Sequence, residues 1–135
     1  MPIDAPDWIL QTQAIEVIAN LAVPVQASTE APISRLTDLS TSSTTYGTVL
    51  TYTVPAAKQA VIYGLELYSD NWPKSRWRLT VGGVVQWTDI ELPASLNMTF
   101  SEARLAAAAV VLLEGKSSDG TTVRLWGHLE GKEVA

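Results

Sequence analysis

Residues 76–90, RWRLTV-GG-VVQWTDI, limit the fold more than any other stretch of this sequence. Two alternating runs flank Gly82-Gly83, and a Gly-Gly pair readily takes the positive φ values that a two-residue hairpin turn demands. Such a turn predicts a register. Val81 faces Val84, Leu79 faces Gln86 and Trp77 faces Thr88; the alternate pairs are Thr80 with Val85, Arg78 with Trp87 and Arg76 with Asp89. Trp77, Leu79, Val81 and Val84 then point to the core. The opposite face carries Arg78 against Trp87, a cation–π pairing worth ~0.5–1 kcal/mol when exposed. An Arg76–Asp89 surface ion pair would add little.

A hairpin with one apolar face must bury it against another layer, and the flanking sequence supplies strands for one. TVLTYTV (48–54) is a β-branched run closed by Pro55. KQAVIYGLELYS (58–69) places Val61, Tyr63, Leu65 and Leu67 on one face, with Ile62, Gly64, Glu66 and Tyr68 on the other. TTVRLWGHLEG (121–131) sets Val123, Leu125 and Leu129 against Arg124, Trp126, His128 and Glu130. EARLAAAAVVLLEG (102–115) has strong helix formers and is compatible with a short helix. The preferred reading is a loop leading into a strand at about 109–117, so that VVLLEGKSSDGTTVRLW forms a second hairpin across Asp119-Gly120. Short strands punctuated by Gly, Pro, Asn and Asp predict an all-β, antiparallel sandwich or barrel.

The N-terminal third has a different texture. In IEVIANLAVPVQAS (15–28) the positions Ile15, Val17, Ala19, Leu21, Val23 and Val25 are all apolar. Leu10, Ala14, Val17, Ile18 and Leu21 also share a helical face, but Pro24 and the alternation favour a strand. Residues 28–48 are rich in Ser and Thr with little apolar periodicity, which predicts a linker. The expected organisation is an arm at 1–27, a linker at 28–48 and a β-sandwich domain at 49–135.

Charge narrows the partners. The net charge of −5 argues against nucleic acid and anionic membranes, which recruit clustered Lys and Arg. No apolar run approaches the ~20 residues of a membrane span. The N-terminus MPIDAPDW is acidic where a signal peptide is basic, so none is expected. With no cysteine, disulfides and Cys-ligated zinc are excluded.

No catalytic constellation emerges. His128, the one histidine, lies in a strand pattern with no nucleophile signature, and it reads as a surface-facing strand residue. A Ser-His-Asp triad assembled from distant residues would leave no local sequence mark, and a surface-facing strand histidine is the preferred reading. Asp89 and Glu91 would share a strand face but look like ordinary surface acids. SDN (69–71) and SSDG (117–120) offer oxygens to a cation, yet turn chemistry accounts for both and neither has EF-hand spacing. Gly82-Gly83 joins two strands, so it is no phosphate cradle. The expectation is a non-enzymatic protein without metal or cofactor.

The aromatics carry the remaining signal. Tyr68, Trp87 and Trp126 fall on the faces predicted to point outward, accompanied by Arg78 and Arg124. Wide aromatics with Arg are enriched in interfaces; the alternatives are a ligand platform, a second core layer or a surface covered by the N-terminal arm. Trp72 lies on the Pro-containing loop YSDNWPKSRW (68–77), either as a lid over the core or as a face for a sugar ring.

TYTVPAAKQAVIYGLELYS (51–69) resembles the opening of β-sandwich domains in structural proteins of tailed phages and related viruses, where a TVPAGK-like edge leads into a long core strand. LAAAAVVLLEGKSSDGTTVRLWGHLEGKEV (105–134) resembles the closing strands of that class. Together the two stretches cover about half the chain. Ala57 stands where that pattern has Gly, and AAAA at 106–109 stands where Pro-Ala-Gly is frequent. The resemblance implies a jelly-roll-like sandwich and a non-enzymatic virion protein. A capsid decoration, cement or head-fibre subunit of this kind is made in the host cytoplasm, forms homotrimers and contacts a capsid or other virion protein. On that view the linker's reach of roughly 25 Å carries the arm to a neighbouring molecule's sheet. Trp8, Ile15, Val17, Leu21, Val23 and Val25 would be its contact residues. The alternative function is a carbohydrate- or receptor-binding module using Trp72 and Trp87.

Overall fold

The computed structural model describes residues 30–135, whose extended segments make eight strands: β1 (Ala31–Thr41), β2 (Gly47–Thr53), β3 (Gln59–Ser69), β4 (Ser75–Val81), β5 (Val84–Ile90), β6 (Leu96–Leu105), β7 (Val110–Ser117) and β8 (Val123–Val134). Antiparallel ladders join β1 to β8, β2 to β7, β3 to β6 and β4 to β5. The described residues therefore form one long two-stranded ribbon with Gly82-Gly83 at its tip. Rolling the ribbon adds the β3–β8 and β4–β7 ladders. Two four-stranded sheets result, in the orders β1-β8-β3-β6 and β2-β7-β4-β5. That is the paired Greek-key order of a jelly roll, and the expected all-β antiparallel sandwich is the architecture found.

The inner faces meet in one core. Leu65, Leu67, Leu125 and Leu129 from one sheet pack against Leu50, Trp77, Leu79 and Leu113 from the other. Gly127 of β8 points inward, where a Cβ would lie 2.8 Å from Leu113 Cδ2 and 3.3 Å from Leu50 Cβ. The missing side chain lets β8 lie directly on the opposite sheet. The two open sides of the sandwich differ. Along β1 and β2, the Arg35 guanidinium donates to the Thr51 carbonyl at 2.7 Å and the Thr37 hydroxyl to the Val49 carbonyl at 2.6 Å, tying the edges together. Along β5 and β6, Trp87, Ile90, Leu96, Met98 and Phe100 remain only partly buried against the core.

Several expectations need correction. Of the linker expected at 28–48, the described part, 30–48, is no linker: β1 occupies Ala31–Thr41 and β2 begins at Gly47, so the sandwich starts well before residue 49. β1 was hidden because it is an edge strand, burying little beyond Ile33 and Leu39; its position comes from eleven paired residues along β8. The Gly82-Gly83 turn has φ values of 58° and 82° and sets Val81 opposite Val84 and Thr80 opposite Val85, as predicted. Beyond these pairs β5 bulges: Leu79 faces Trp87 rather than Gln86, and Trp77 faces Ile90. Each extra residue resets the alternation, which turns Trp87 toward the core side; Val84, on the turn side of the bulges, keeps its pairing with Val81 but is exposed rather than core-facing. Arg76 consequently pairs with Glu91, at 3.4 Å, and Asp89 with Lys116, at 3.3 Å.

β7 and β8 are consecutive but belong to different sheets, so the SSDG turn is a corner between layers and not a hairpin. EARL (102–105) completes strand β6. In β3 a bulge between Ile62 and Gly64 buries both Val61 and Ile62 and turns Tyr63 outward. The arm residues Trp8, Ile15, Val17, Leu21, Val23 and Val25 lie outside the described residues.

Candidate binding site

Alternation along β8 puts Leu125, Gly127 and Leu129 in the core and Trp126 and His128 on the outer face of the β1-β8-β3-β6 sheet. Register places partners beside them. Trp126 lies opposite Tyr68 of β3 and Asp38 of β1; His128 lies opposite Glu66 of β3 and Leu36 of β1; Glu66 in turn faces Asn97 of β6. Leu36, Glu66, Tyr68, Asn97, Trp126 and His128 from these rows, with Ser95 from the β5–β6 connection, line an open groove of about 400 Å³. Leu36 is 67% exposed and Tyr68 53% exposed, so this floor offers large apolar surface to solvent.

The aromatic end of the groove is built from the interior outward. Trp77 is wholly buried. Trp72, in the 3₁₀ turn Trp72–Lys74, stacks at a tilt on Trp77 with centroids 6.3 Å apart. Tyr68 meets Trp72 edge-on at 5.8 Å and Trp126 edge-on at 5.2 Å. The loop bearing Trp72 is pinned from below. The Ser69 and Ser75 hydroxyls are 2.6 Å apart and buried, Ser75 donates to the Asn71 carbonyl, and the Asn71 N–H donates to Ser69 Oγ. Arg124 lies over the Trp126 ring at 4.9 Å, while its Nε donates to Asp38 at 3.0 Å.

The polar end centres on His128. Its Nε2 is 3.3 Å from Ser34 Oγ, and its Nδ1 is 3.5 Å from a Glu130 oxygen and 4.0 Å from a Glu66 oxygen. Two carboxylates thus approach one ring nitrogen on an otherwise open surface. Among the described residues no group of three or more His, Asp or Glu could hold a metal ion.

Tyr68, Trp126 and Arg124 therefore come together as the sequence placed them, on one outer face. Trp72 backs Tyr68 and covers the end of the core, a lid rather than a free platform. Arg78 and Trp87 do not join them. Arg78 sits on the other sheet's outer face, with Cζ 4.2 Å from the Tyr46 ring centre and two hydrogen bonds of 2.9 Å to Glu114. That ion pair, made through hydrogen bonds, holds the guanidinium more firmly protonated than usual. The predicted Arg78–Trp87 contact is absent because the β5 bulges carry Trp87 to the inner side. Sequence reasoning missed Leu36, Ser95 and Asn97 altogether, since their proximity follows from strand order and leaves no local mark.

No protein-family model matches the chain, and no curated protein matches it. Among solved structures, the CBM36-1 domain of a multidomain xylanase from the hindgut metagenome of Trinervitermes trinervoides aligns at a TM-score of 0.35 and 14% identity, over 78% of this chain and 96% of that one. A carbohydrate-binding module CBM36 in complex with calcium and xylotriose aligns at a TM-score of 0.28 and 15% identity, over 72% of this chain and 97% of that one. At that level neither likeness assigns this chain a family, a ligand or a site.

Proposed function

We propose that the protein is a binding module whose outer groove takes a saccharide. The observation that carries this reading is the pairing of an exposed aromatic surface, Tyr68 beside Trp126, with the polar row Glu66, His128 and Asn97 one register step away. A pyranose has apolar C–H faces and a rim of hydroxyls, so it needs an aromatic surface and, a few ångströms off, acceptors and donors in one plane. The groove supplies both, and its open shape suits a chain of sugars lying along it. The test is titration of the full chain with a panel of oligosaccharides, followed by tryptophan fluorescence. Tyr68→Ala and Trp126→Ala should each weaken binding about tenfold or more, near 1.4 kcal/mol. Equal affinity in both variants would remove the groove from consideration.

A second reading, assembly through subunit contacts, rests on Val84 and Val85, exposed by 63% and 53% beside the tip of the β4–β5 hairpin. Adjacent exposed apolar residues of this kind favour burial by a partner. The solution mass decides it: an oligomer converted to monomer by Val84→Lys with Val85→Lys supports assembly, and a monomer in both forms opposes it. A virion location and a trimer are proposals that rest on the phage-like sequence resemblance alone.

A further inference from the structure

We propose that the groove prefers amino sugars bearing a free ammonium group over uncharged sugars and rejects acidic ones; this inference rests on the saccharide reading above. The charges around the groove decide it. Glu66 and Glu130 flank His128 from β3 and β8, with side chains exposed by 56% and 60% and oxygens 4.0 and 3.5 Å from the ring Nδ1. Neither carboxylate has a Lys or Arg partner among the described residues, whereas the other acids near this face are engaged. Asp38 accepts from Arg124 Nε, and Asp70 accepts from the Arg124 backbone N–H.

Among the described residues no Lys or Arg lines the groove. Arg124, the nearest guanidinium in sequence to Trp126, is committed to the indole face and to Asp38. A carboxylated or sulfated sugar lying on Tyr68 and Trp126 would thus bring an anion toward Glu66 in the groove wall and Glu130 beside His128, with no described Lys or Arg in the lining to meet it. An ammonium on the same ring would find acceptors on both strands. The aromatic surface works in the same direction, because a cation near an indole or phenol ring gains from its negative face. Uncharged hydroxyls would still find Asn97 and Ser95.

Each exposed carboxylate–ammonium contact is worth up to about a fivefold change in affinity, so the pair sets a preference of roughly five- to twentyfold at low salt. The experiment is calorimetric titration of the full chain with three oligomers of equal length: β-1,4-linked glucosamine, its N-acetylated counterpart and a galacturonate. The glucosamine oligomer should bind at least fivefold tighter than the N-acetylated one, and the galacturonate should not bind. Glu66→Gln combined with Glu130→Gln should bring the ratio of the first two affinities toward one. Raising the salt to half-molar should do the same. Equal or tighter binding of the N-acetylated oligomer, or a preference that survives both substitutions, overturns the inference and leaves the saccharide reading standing. If none of the three binds, the inference falls, and the saccharide reading falls with it only when the wider oligosaccharide panel is silent too.

Discussion

Gly127→Ala tests whether a missing side chain sets the spacing of the sandwich. A methyl on residue 127 would lie 2.8 Å from Leu113 Cδ2 and 3.3 Å from Leu50 Cβ. Carbon atoms at rest sit ~3.5–4.0 Å apart, so the Leu113 methyl is about 1 Å too close. Leu50 cannot give way easily, because the crowded atom is its Cβ. Overpacking of this size costs about 1–3 kcal/mol. Restricting the unfolded chain returns ~0.4–1 kcal/mol, which leaves a net loss between about 0 and 2.6 kcal/mol. Leu113→Ala, at a fully buried site, should lose ~2–5 kcal/mol by itself. In the double variant the new methyl enters the space that Leu113 vacates, so the combined loss should fall short of the sum by about 1 kcal/mol or more. Urea unfolding followed by tryptophan fluorescence measures all four proteins, provided the slope with denaturant stays constant. Trp126 and His128 flank residue 127, so Gly127→Ala should also weaken any ligand held on the outer face. Losses that add within ~0.5 kcal/mol in the double variant would refute the close-packing account.

Ser75→Ala should destabilise by about 1–3 kcal/mol, because it strands the buried Ser69 hydroxyl and the Asn71 carbonyl; a loss no larger in Ser75→Ala than in an exposed serine variant would deny the network its role. Gly83→Ala meets no atom within 4 Å but must hold a φ of 82°, so its expected loss of ~1–2 kcal/mol in chemical denaturation isolates backbone strain from crowding. The Asp119 carboxyl is held well below the usual carboxylate range, first by the hydrogen bond from Lys74 Nζ at 2.7 Å and then by Thr121. The Glu133 carboxyl is lowered chiefly by the Tyr52 hydroxyl. Folded-state values depressed in this way give stability that is present above about pH 4 and lost as the pH falls below it. Asp119→Asn should flatten that acid limb in a series of denaturation curves, and an unchanged slope would contradict the assignment.

What the sequence made legible follows the range over which each feature is determined. The Gly82-Gly83 turn depends on two residues, and its first two cross-strand pairs were correct. The outward faces of Tyr68 and Trp126 follow from alternation within single strands, and these were correct as well. Trp87 was misplaced by bulges in β5, where Asp89 takes a φ of 54° that no local pattern announces. β1 was misread as linker because an edge strand can be polar on nearly every residue when a long ladder holds it. The groove itself required knowing that β8 lies between β1 and β3 and that β6 lies beyond β3. Only with that order do Leu36, His128, Glu66 and Asn97 fall in a row.

The pairing of Ala31 with Glu133 brings the two ends of the ribbon side by side. Tension applied through residues 30 and 135 would then act across a single ladder at its terminal rung. It would peel β1 from β8 one pair at a time, from Ala31 toward Thr41, instead of shearing all the rungs together. Held by its ends, such a module yields early to a pull and springs the whole β1 edge, including the Arg35 and Thr37 clasps to β2, before the remaining ladders bear any load.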